Sequence, residues 1–273
     1  PRTQYGPDRI TSPLVRDRAG KLVPASWDEA LGLVAERLSA IRAESGPEAI
    51  FHYRSGGSLG LVVAQASDLF FERFGPVTVK RGDICSGAGE AAQEADFGIC
   101  ESSDLFQLLQ ARQLILWGKN VYTSSPHTIP LLRQARAAGA ELLLIDPVQH
   151  RSAQLCDATL QPRPAGDFDL AMATARVLSS RGWIHHEAAS WCEGLEGFVA
   201  LAESRPLGAW CERADVSEDD AVDLARRLHQ GPTSILVGWG MARRQRGGAI
   251  VRAIDALAAL TGNVGVPGAG AFY

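Results

Sequence analysis

The sequence predicts an α/β protein built from mostly parallel, doubly wound (Rossmann-like) sheets. Three observations carry that reading. Short apolar runs alternate with helical stretches of about 10–15 residues, the signature of βα units. Glycine-bearing turns close several of those runs, as in "LILWGKN" and "SILVGWG". The chain has 273 residues, 46% hydrophobic and 21% charged, an ordinary folded composition with enough length for two units.

The elements follow in order. "RITSPLVRDRAGKLVPAS" reads as two extended arms around an Asp-Arg-Ala-Gly turn. Ser26 and Glu29 form a capping box that opens a helix, Leu31, Val34, Ala35, Leu38 and Ile41 share one of its faces, and Gly46 ends it. "EAIFHYRSGG" reads as a buried strand entering a glycine turn, "SLGLVVAQASDLFFERFG" as a helix and "PVTVKR" as a short strand. The loop carrying Cys85 leads into the helix "GEAAQEADFG". Then come the strand "ARQLILWG", the helix "SPHTIPLLRQARAAG", the strand "AELLLIDP", the extended "DATLQPRP" and the helix "DFDLAMATARVLSSRG". Residues 183–231 are chiefly helical, with Ser217 capping "SEDDAVDLARRLHQG". The strand "PTSILVGWG" and the helix "GGAIVRAIDALAALTGN" complete the order.

Composition excludes some partners. A formal charge of -4 and a pI near 5.9 leave no basic stripe for nucleic acid. No apolar run approaches the ~20 residues of a membrane span. The five cysteines, Cys85, Cys100, Cys156, Cys192 and Cys211, form an odd set without a CxxC pair, which argues against a zinc site or iron-sulfur cluster inside this chain and casts most of them as buried small hydrophobes. The start at Pro1 and the end within "VGVPGAGAFY" suggest a piece of a longer protein.

In open α/β sheets ligands sit beyond the carboxyl ends of the strands. Gly118 and Asn120 of "WGKN" stand at one such tip, where backbone N–H groups can approach a phosphate; a plain glycine turn is the competing reading, since the full GxGxxG is missing. Asp146, followed by Pro147, ends the next strand, where an acid can accept from ribose hydroxyls or simply begin an Asp-Pro turn. Asp167 of "RPAGD" can match the paired N–H donors of a guanine edge, although a helix cap is the simpler use for it. Trp117, Trp239 and Met241 at strand tips can floor a pocket or form the core rim. Cys85 lies close to a helix N-terminus, which favours thiolate and leaves open a metal ligand, a nucleophile or a buried thiol.

Read together, "RITSPLVRDRAGKLVPASWDEALGLVAERLSAI", "WGKN", "LLLIDP", "RPAGD" and "GWGMARRQRGGAIVRAIDALAALTGNVGVPGAG" resemble the catalytic subunit of molybdopterin oxidoreductases, the family of formate dehydrogenases, dissimilatory nitrate reductases and polysulfide reductases. The resemblance runs from about Arg9 to the end, and "SWDEAL" and "ALTGNVGVPGAG" are its specific phrases. It implies the two central α/β domains of that fold: residues 1–80 as the first part of a discontinuous domain, 81–250 as an inserted Rossmann-like domain binding a guanine dinucleotide, and 251–273 as the return to the first. It also implies molybdenum or tungsten held by bis(molybdopterin guanine dinucleotide), with Cys85 at the metal-ligand position. Gly118, Asn120, Asp146, Pro147 and Asp167 fall where one dinucleotide is held, and Gly238 and Gly240 at a tip facing the cofactor.

The same resemblance implies a small-molecule substrate, an iron-sulfur cluster in a missing N-terminal domain, a missing C-terminal domain and electron-transfer subunits as partners. Formate dehydrogenases carry histidine after the metal-binding residue, whereas Ser86 stands here; their active-site arginine is matched by Arg252. The alternative readings are a non-catalytic structural relative, as in a respiratory complex subunit, and a nicotinamide-dependent dehydrogenase, which the absent GxGxxG disfavours.

Overall fold

The computed structural model describes residues 5–54, 60–100 and 102–273, without the side chains of 63 and 64. The chain divides into two compact units, residues 1–81 and 82–273. The glycines of "RSGG" lie outside the described residues.

In the first unit β1 (Leu14–Arg16) and β2 (Leu22–Pro24) form an antiparallel hairpin. Its turn is made by the Asp17 carboxylate, which accepts from the backbone N–H groups of Ala19 and Lys21 at 2.9 Å each, with Gly20 at φ 81°. Helix α1 (Trp27–Ser45) opens on the expected capping box: Glu29 N donates to Ser26 Oγ at 3.2 Å and Ser26 N to Glu29 Oε2 at 2.8 Å. The apolar face of α1 is present, yet none of its residues is buried within this unit. β3 (Phe51–His52) and β4 (Thr78–Val79), joined through α2 (Leu61–Phe74), form a two-stranded parallel pair. Phe71 of α2 packs on the His52 ring, 4.4 Å between centroids.

The second unit begins with α3 (Gly87–Phe97) and is organised by a five-stranded parallel sheet. Its strands are β5 (Gln113–Trp117), β6 (Glu141–Ile145), β7 (Ala158–Leu160), β8 (Thr233–Val237) and β9 (Gly270–Phe272), in the order β7-β6-β5-β8-β9. Side chains alternate between faces, as a pleated strand requires. Leu114, Leu116, Leu142, Leu144 and Leu236 join one core with Leu132. Ile115, Trp117, Leu143, Ile145, Ile235 and Val237 join the other, with Leu170, Leu224 and Ile254. Both faces are covered, so the strands read as continuous apolar runs rather than as alternation.

Helices α4 (Val121–Ser124) and α5 (Ile129–Ala137) follow β5, and Leu132 of α5 belongs to the first core. The other face carries α6 (Asp167–Ser180), and the chain continues through α7 (Ala188–Trp191) to α8 (Leu195–Glu203), α9 (Leu207–Ala214), α10 (Glu218–His229) and α11 (Gly247–Leu260), whose residues join the same core as α6. Ser217 caps α10 in a second capping box with Asp220. Among the described residues no helix is long and apolar enough to cross a membrane.

Three expectations change. Residues 251–273 lie in the second unit rather than with 1–80: α11 packs on α3 and α6, and β9 pairs with β8. β9 itself was not expected, because three residues after a glycine-rich turn carry no period. All five cysteines are free thiols, but only Cys211 is buried. Cys85, Cys100, Cys156 and Cys192 stand within three residues of an element end, where neighbours cover one side only.

Candidate functional site

The strand order places the reversal of connectivity between β5 and β8. From β5 the chain passes through α5 to β6 and on to β7; it then crosses the other face to reach β8, which pairs with β5 on its opposite side. A crevice opens at such a point beyond the carboxyl ends of the strands. Gly118, Asn120, Asp146, Pro147, Asp167, Gly238 and Gly240 all belong to segments at those ends.

Backbone forms the floor. Gly118 N donates to Ile145 O at 2.7 Å and Gly238 N to Trp117 O at 2.8 Å, so the ladder runs on through both glycines. Gly118 has φ 64°, and a Cβ at Gly238 would lie 1.8 Å from Gly118 O. No side chain fits there. A Cβ at Gly240 would meet nothing within 4 Å, so that turn faces open space. Met241 is buried and presses on Gly118, Trp117 is wholly buried, and Trp239 is exposed.

A hydrogen-bonded chain joins the β5 and β6 tips. Asp146 Oδ1 accepts from Val148 N at 2.8 Å, and Asp146 Oδ2 lies 3.3 Å from His150 Nε2. His150 Nδ1 accepts from Ser152 N at 3.2 Å, which leaves the ring proton on Nε2, facing Asp146. Ser152 Oγ in turn donates to Asn120 Oδ1 at 3.3 Å. The Pro147 carbonyl accepts from Gln161 Nε2 at 3.2 Å. Between Gly118 and Asn120 stands Lys119, whose ammonium is weakened by burial and has no acidic partner among the described residues. A half-buried cation beside free backbone N–H groups suits a phosphate.

Asp167 does not cap its helix. It is the first residue of α6, Gly166 holds the cap position, and no side chain caps it. The carboxylate instead turns to the crevice, 6% exposed, where Oδ1 accepts from Trp117 Nε1 at 3.0 Å and Oδ2 lies 3.8 Å from Arg244 Nη1. Burial pushes its pKa up, against the Trp117 hydrogen bond and the Arg244 charge. Oδ2 therefore keeps acceptor capacity for a donor supplied by a ligand.

Cys85 sits two residues before α3, with Ser86 at the cap position. Asp83 Oδ1 accepts from the backbone N–H groups of Cys85 and, at 2.8 Å, Ser86, which turns the loop; the Ser86 bond holds the Asp83 carboxyl below its ordinary range. Ser86 is buried and its hydroxyl donates to Glu90. Gly89 makes room for the Tyr273 ring, since a Cβ there would lie 2.1 Å from Cζ. Burial, followed by the nearby Glu90, pushes the Tyr273 hydroxyl up to about 12. A cation that no local sequence signal points to meets Cys85: Arg243 Nη2 lies 2.7 Å from Sγ, and Nε donates to the Cys85 carbonyl at 2.9 Å.

Arg252 is elsewhere. Its Nε donates to Asp96 Oδ1 at 2.7 Å, near the far end of α3, eleven positions and about 15 Å along the helix from Cys85. Arg243 and Arg252 both flank the start of α11, and only the fold distinguishes which one meets the thiol.

These residues fit the implied cofactor class. One soft thiol stands available as a metal ligand, and among the described residues no three His, Cys, Asp or Glu side chains gather to hold a metal by themselves. The crevice offers backbone donors, a cation for phosphate and a buried acceptor.

Comparisons with known proteins agree. The sequence model described as molybdopterin oxidoreductase matches residues 9–273. The chain is 32% identical over 268 residues to "Probable oxidoreductase YyaE" of Bacillus subtilis, covering 98% of this chain and 40% of that one. It is 29% identical over 279 residues to formate dehydrogenase H of Escherichia coli, covering 98% and 38%. Among solved structures, acetylene hydratase from Pelobacter acetylenicus has the same fold, with a TM-score of 0.74 at 21% identity over 98% of this chain and 37% of that one. The chain thus spans about 40% of the length of the curated relatives it matches. With the crevice, the thiol and the match over nearly its whole length, the chain belongs to the molybdopterin oxidoreductase family.

Proposed function

We propose that the chain is the central part of a molybdenum or tungsten bis(molybdopterin guanine dinucleotide) oxidoreductase, with Cys85 as the protein ligand to the metal and the β5–β8 crevice holding one guanine dinucleotide. When bound, the cofactor supplies two-electron redox chemistry. The residues of this chain bind it and set its surroundings. Lys119 and the N–H groups after β5 meet the pyrophosphate, Asp146 accepts from ribose hydroxyls, and Asp167 Oδ2 accepts from the guanine edge. Arg243 balances the thiolate charge of Cys85 and fixes the sulfur's direction.

The single observation that carries this reading is the Asp167 carboxylate, buried at the switch point and turned away from the helix it opens. A purely structural relative has no need to bury an acid there. Formate and nitrate are both candidate substrates, since formate dehydrogenase H and a nitrate reductase of Symbiobacterium thermophilum are each 29% identical to the chain, and Arg243 joins Arg252 as a cation able to face a substrate anion. The iron-sulfur cluster, further domains and electron-transfer subunits belong to sequence outside this chain. Unit one supports that division, since an unburied apolar helix face and a two-stranded parallel sheet call for completion by further chain.

The test is metal and pterin analysis of the full-length protein from cells able to make the cofactor. About one molybdenum or tungsten and two pterins per chain, with guanine released on hydrolysis, is the expected result. Folded protein with neither metal nor pterin identifies the non-catalytic relative.

A further inference from the structure

Away from the crevice, α3 and α11 pack along their length and exchange two crossed polar contacts. Gln93 Nε2 of α3 donates to Asp255 Oδ1 of α11 at 2.9 Å, and Arg252 Nε of α11 donates to Asp96 Oδ1 of α3 at 2.7 Å. Residues 93 and 96, and 252 and 255, are each one turn apart, so Asp96 and Asp255 stand side by side across the helix interface. Asp255 is 1% exposed. Among the described residues, Asp96 Oδ2 and Asp255 Oδ2 are the buried side-chain nitrogen or oxygen atoms that lack a hydrogen-bond partner.

Two orphaned carboxylate oxygens together are costly to bury. Two like charges in one buried place cannot both persist, and a single proton converts the repulsion into a hydrogen bond. We infer that Asp96 and Asp255 form a buried site for one proton, shared between their Oδ2 atoms, which latches α3 to α11. The proton rests on Asp255, the member of the pair that has no guanidinium hydrogen-bonded to it; Arg252 donates to Asp96. Burial, and then the adjacent Asp96, push the Asp255 carboxyl up to about 7, against the Gln93 hydrogen bond and the Arg252 charge.

The groups around the pair come from several elements. Arg252 faces it from α11, Cys100 lies beyond Gln93, which accepts from its thiol, and Glu90 and Glu94 stand on α3. β9 contributes only the Ala271 carbonyl, an acceptor for Gln93. Asp96, Arg252 and Asp255 also border a cavity of about 1010 Å³ that Phe168, Trp191 and Glu193 help to line. The latch has a second consequence, since Cys85 immediately precedes α3 and Arg243 precedes α11; fixing the helices fixes the contact between those two residues.

The sign of the pH dependence follows. A carboxyl raised in the folded state lends stability that is full below the unfolded range near about 4 and is lost as pH climbs through about 7. In the full-length protein, Tm should fall by roughly 2–4 °C from about pH 5 to 8. Asp255→Asn places an amide donor against Asp96 Oδ2 and should flatten that fall. Difference infrared spectra at about pH 6, wild type minus Asp255→Asn and wild type minus Asp96→Asn, should each show one protonated carboxyl band lost. Parallel Tm profiles, or no protonated carboxyl in the wild type, overturn the proposal. So does a chelator that lowers the wild-type Tm while sparing Asp255→Asn, which would assign the two oxygens to a metal cation. Should Asp255→Asn fail to fold, the wild-type spectrum against Asp96→Asn decides alone.

Discussion

The guanidinium of Arg243 grips Cys85 at two points, Nη2 at 2.7 Å from Sγ and Nε at 2.9 Å from the carbonyl oxygen. The contact spans 158 residues and puts a guanidinium directly on the thiol. A guanidinium so placed covers the sulfur and fixes the loop that carries it.

Arg243→Ala should therefore uncover the sulfur and speed alkylation of Cys85 in cofactor-free protein. Arg243→Lys keeps the charge but loses the two-point grip and should fall between the two. Peptide mass spectrometry, which resolves Cys85 from the other four cysteines, reads the rate. Equal rates in all three proteins would remove Arg243 from any role at the sulfur.

Cys85→Ala in the full-length protein should abolish turnover, with the thermal unfolding profile unchanged, because the loop is turned by backbone bonds to Asp83 rather than by the thiol. Steady-state assay beside calorimetry separates the two effects. Retained turnover would deny the thiol a place at the metal.

Asp167→Asn keeps the volume and the acceptor for Trp117 Nε1 but removes a buried charge. Since burial raises the Asp167 carboxyl, its ionisation costs stability that is present at low pH and lost as pH rises above the unfolded range near about 4. The variant should match or exceed wild type in denaturant midpoint at neutral pH, and should copurify with less guanine dinucleotide. Lower stability with full cofactor content would make the acid structural.

Gly238→Ala and Gly240→Ala should differ sharply. The first drives a Cβ to 1.8 Å from the Gly118 carbonyl and should cost about 3 kcal/mol or more, whereas the second meets nothing within 4 Å and should cost under about 1 kcal/mol. Urea titration gives both values directly.

Arg227 is buried, and its guanidinium donates to Gln113 Oε1 at 3.0 Å, Glu141 Oε2 at 3.0 Å and Asp223 Oδ2 at 2.7 Å. Arg227→Met fills much of the space but leaves Gln113 without its donor, and should lower stability by about 2–4 kcal/mol. A smaller loss in urea titration would mean that water replaces the guanidinium.

The central sheet was legible because β5, β6 and β8 are apolar throughout, as a sheet covered on both faces demands. The capping boxes at Ser26 and Ser217 were legible for the same reason, being local chemistry. What escaped was long-range. β9 has three residues and exists through its pairing with β8. Taken alone Asp167 suits a helix cap, and only the resemblance casts it as a guanine acceptor; its bond to Trp117, fifty positions away, leaves no local sign. Arg252 read as the site cation because "ARRQRGGAIVR" holds several arginines and no local signal tells which one reaches Cys85. The Asp96–Asp255 contact lies across two helices that are distant in sequence.

The glycine floor beneath the crevice is main chain from edge to edge: Ile145 O, Gly118 N, Trp117 O and Gly238 N are joined by hydrogen bonds that involve no side chain. Such a socket is indifferent to most substitutions around it. Its rim, Lys119, Asp146, Asp167 and Arg244, can be exchanged to alter what is gripped while the base keeps its shape, so ligand preference and foundation are separable problems for mutation and for engineering alike.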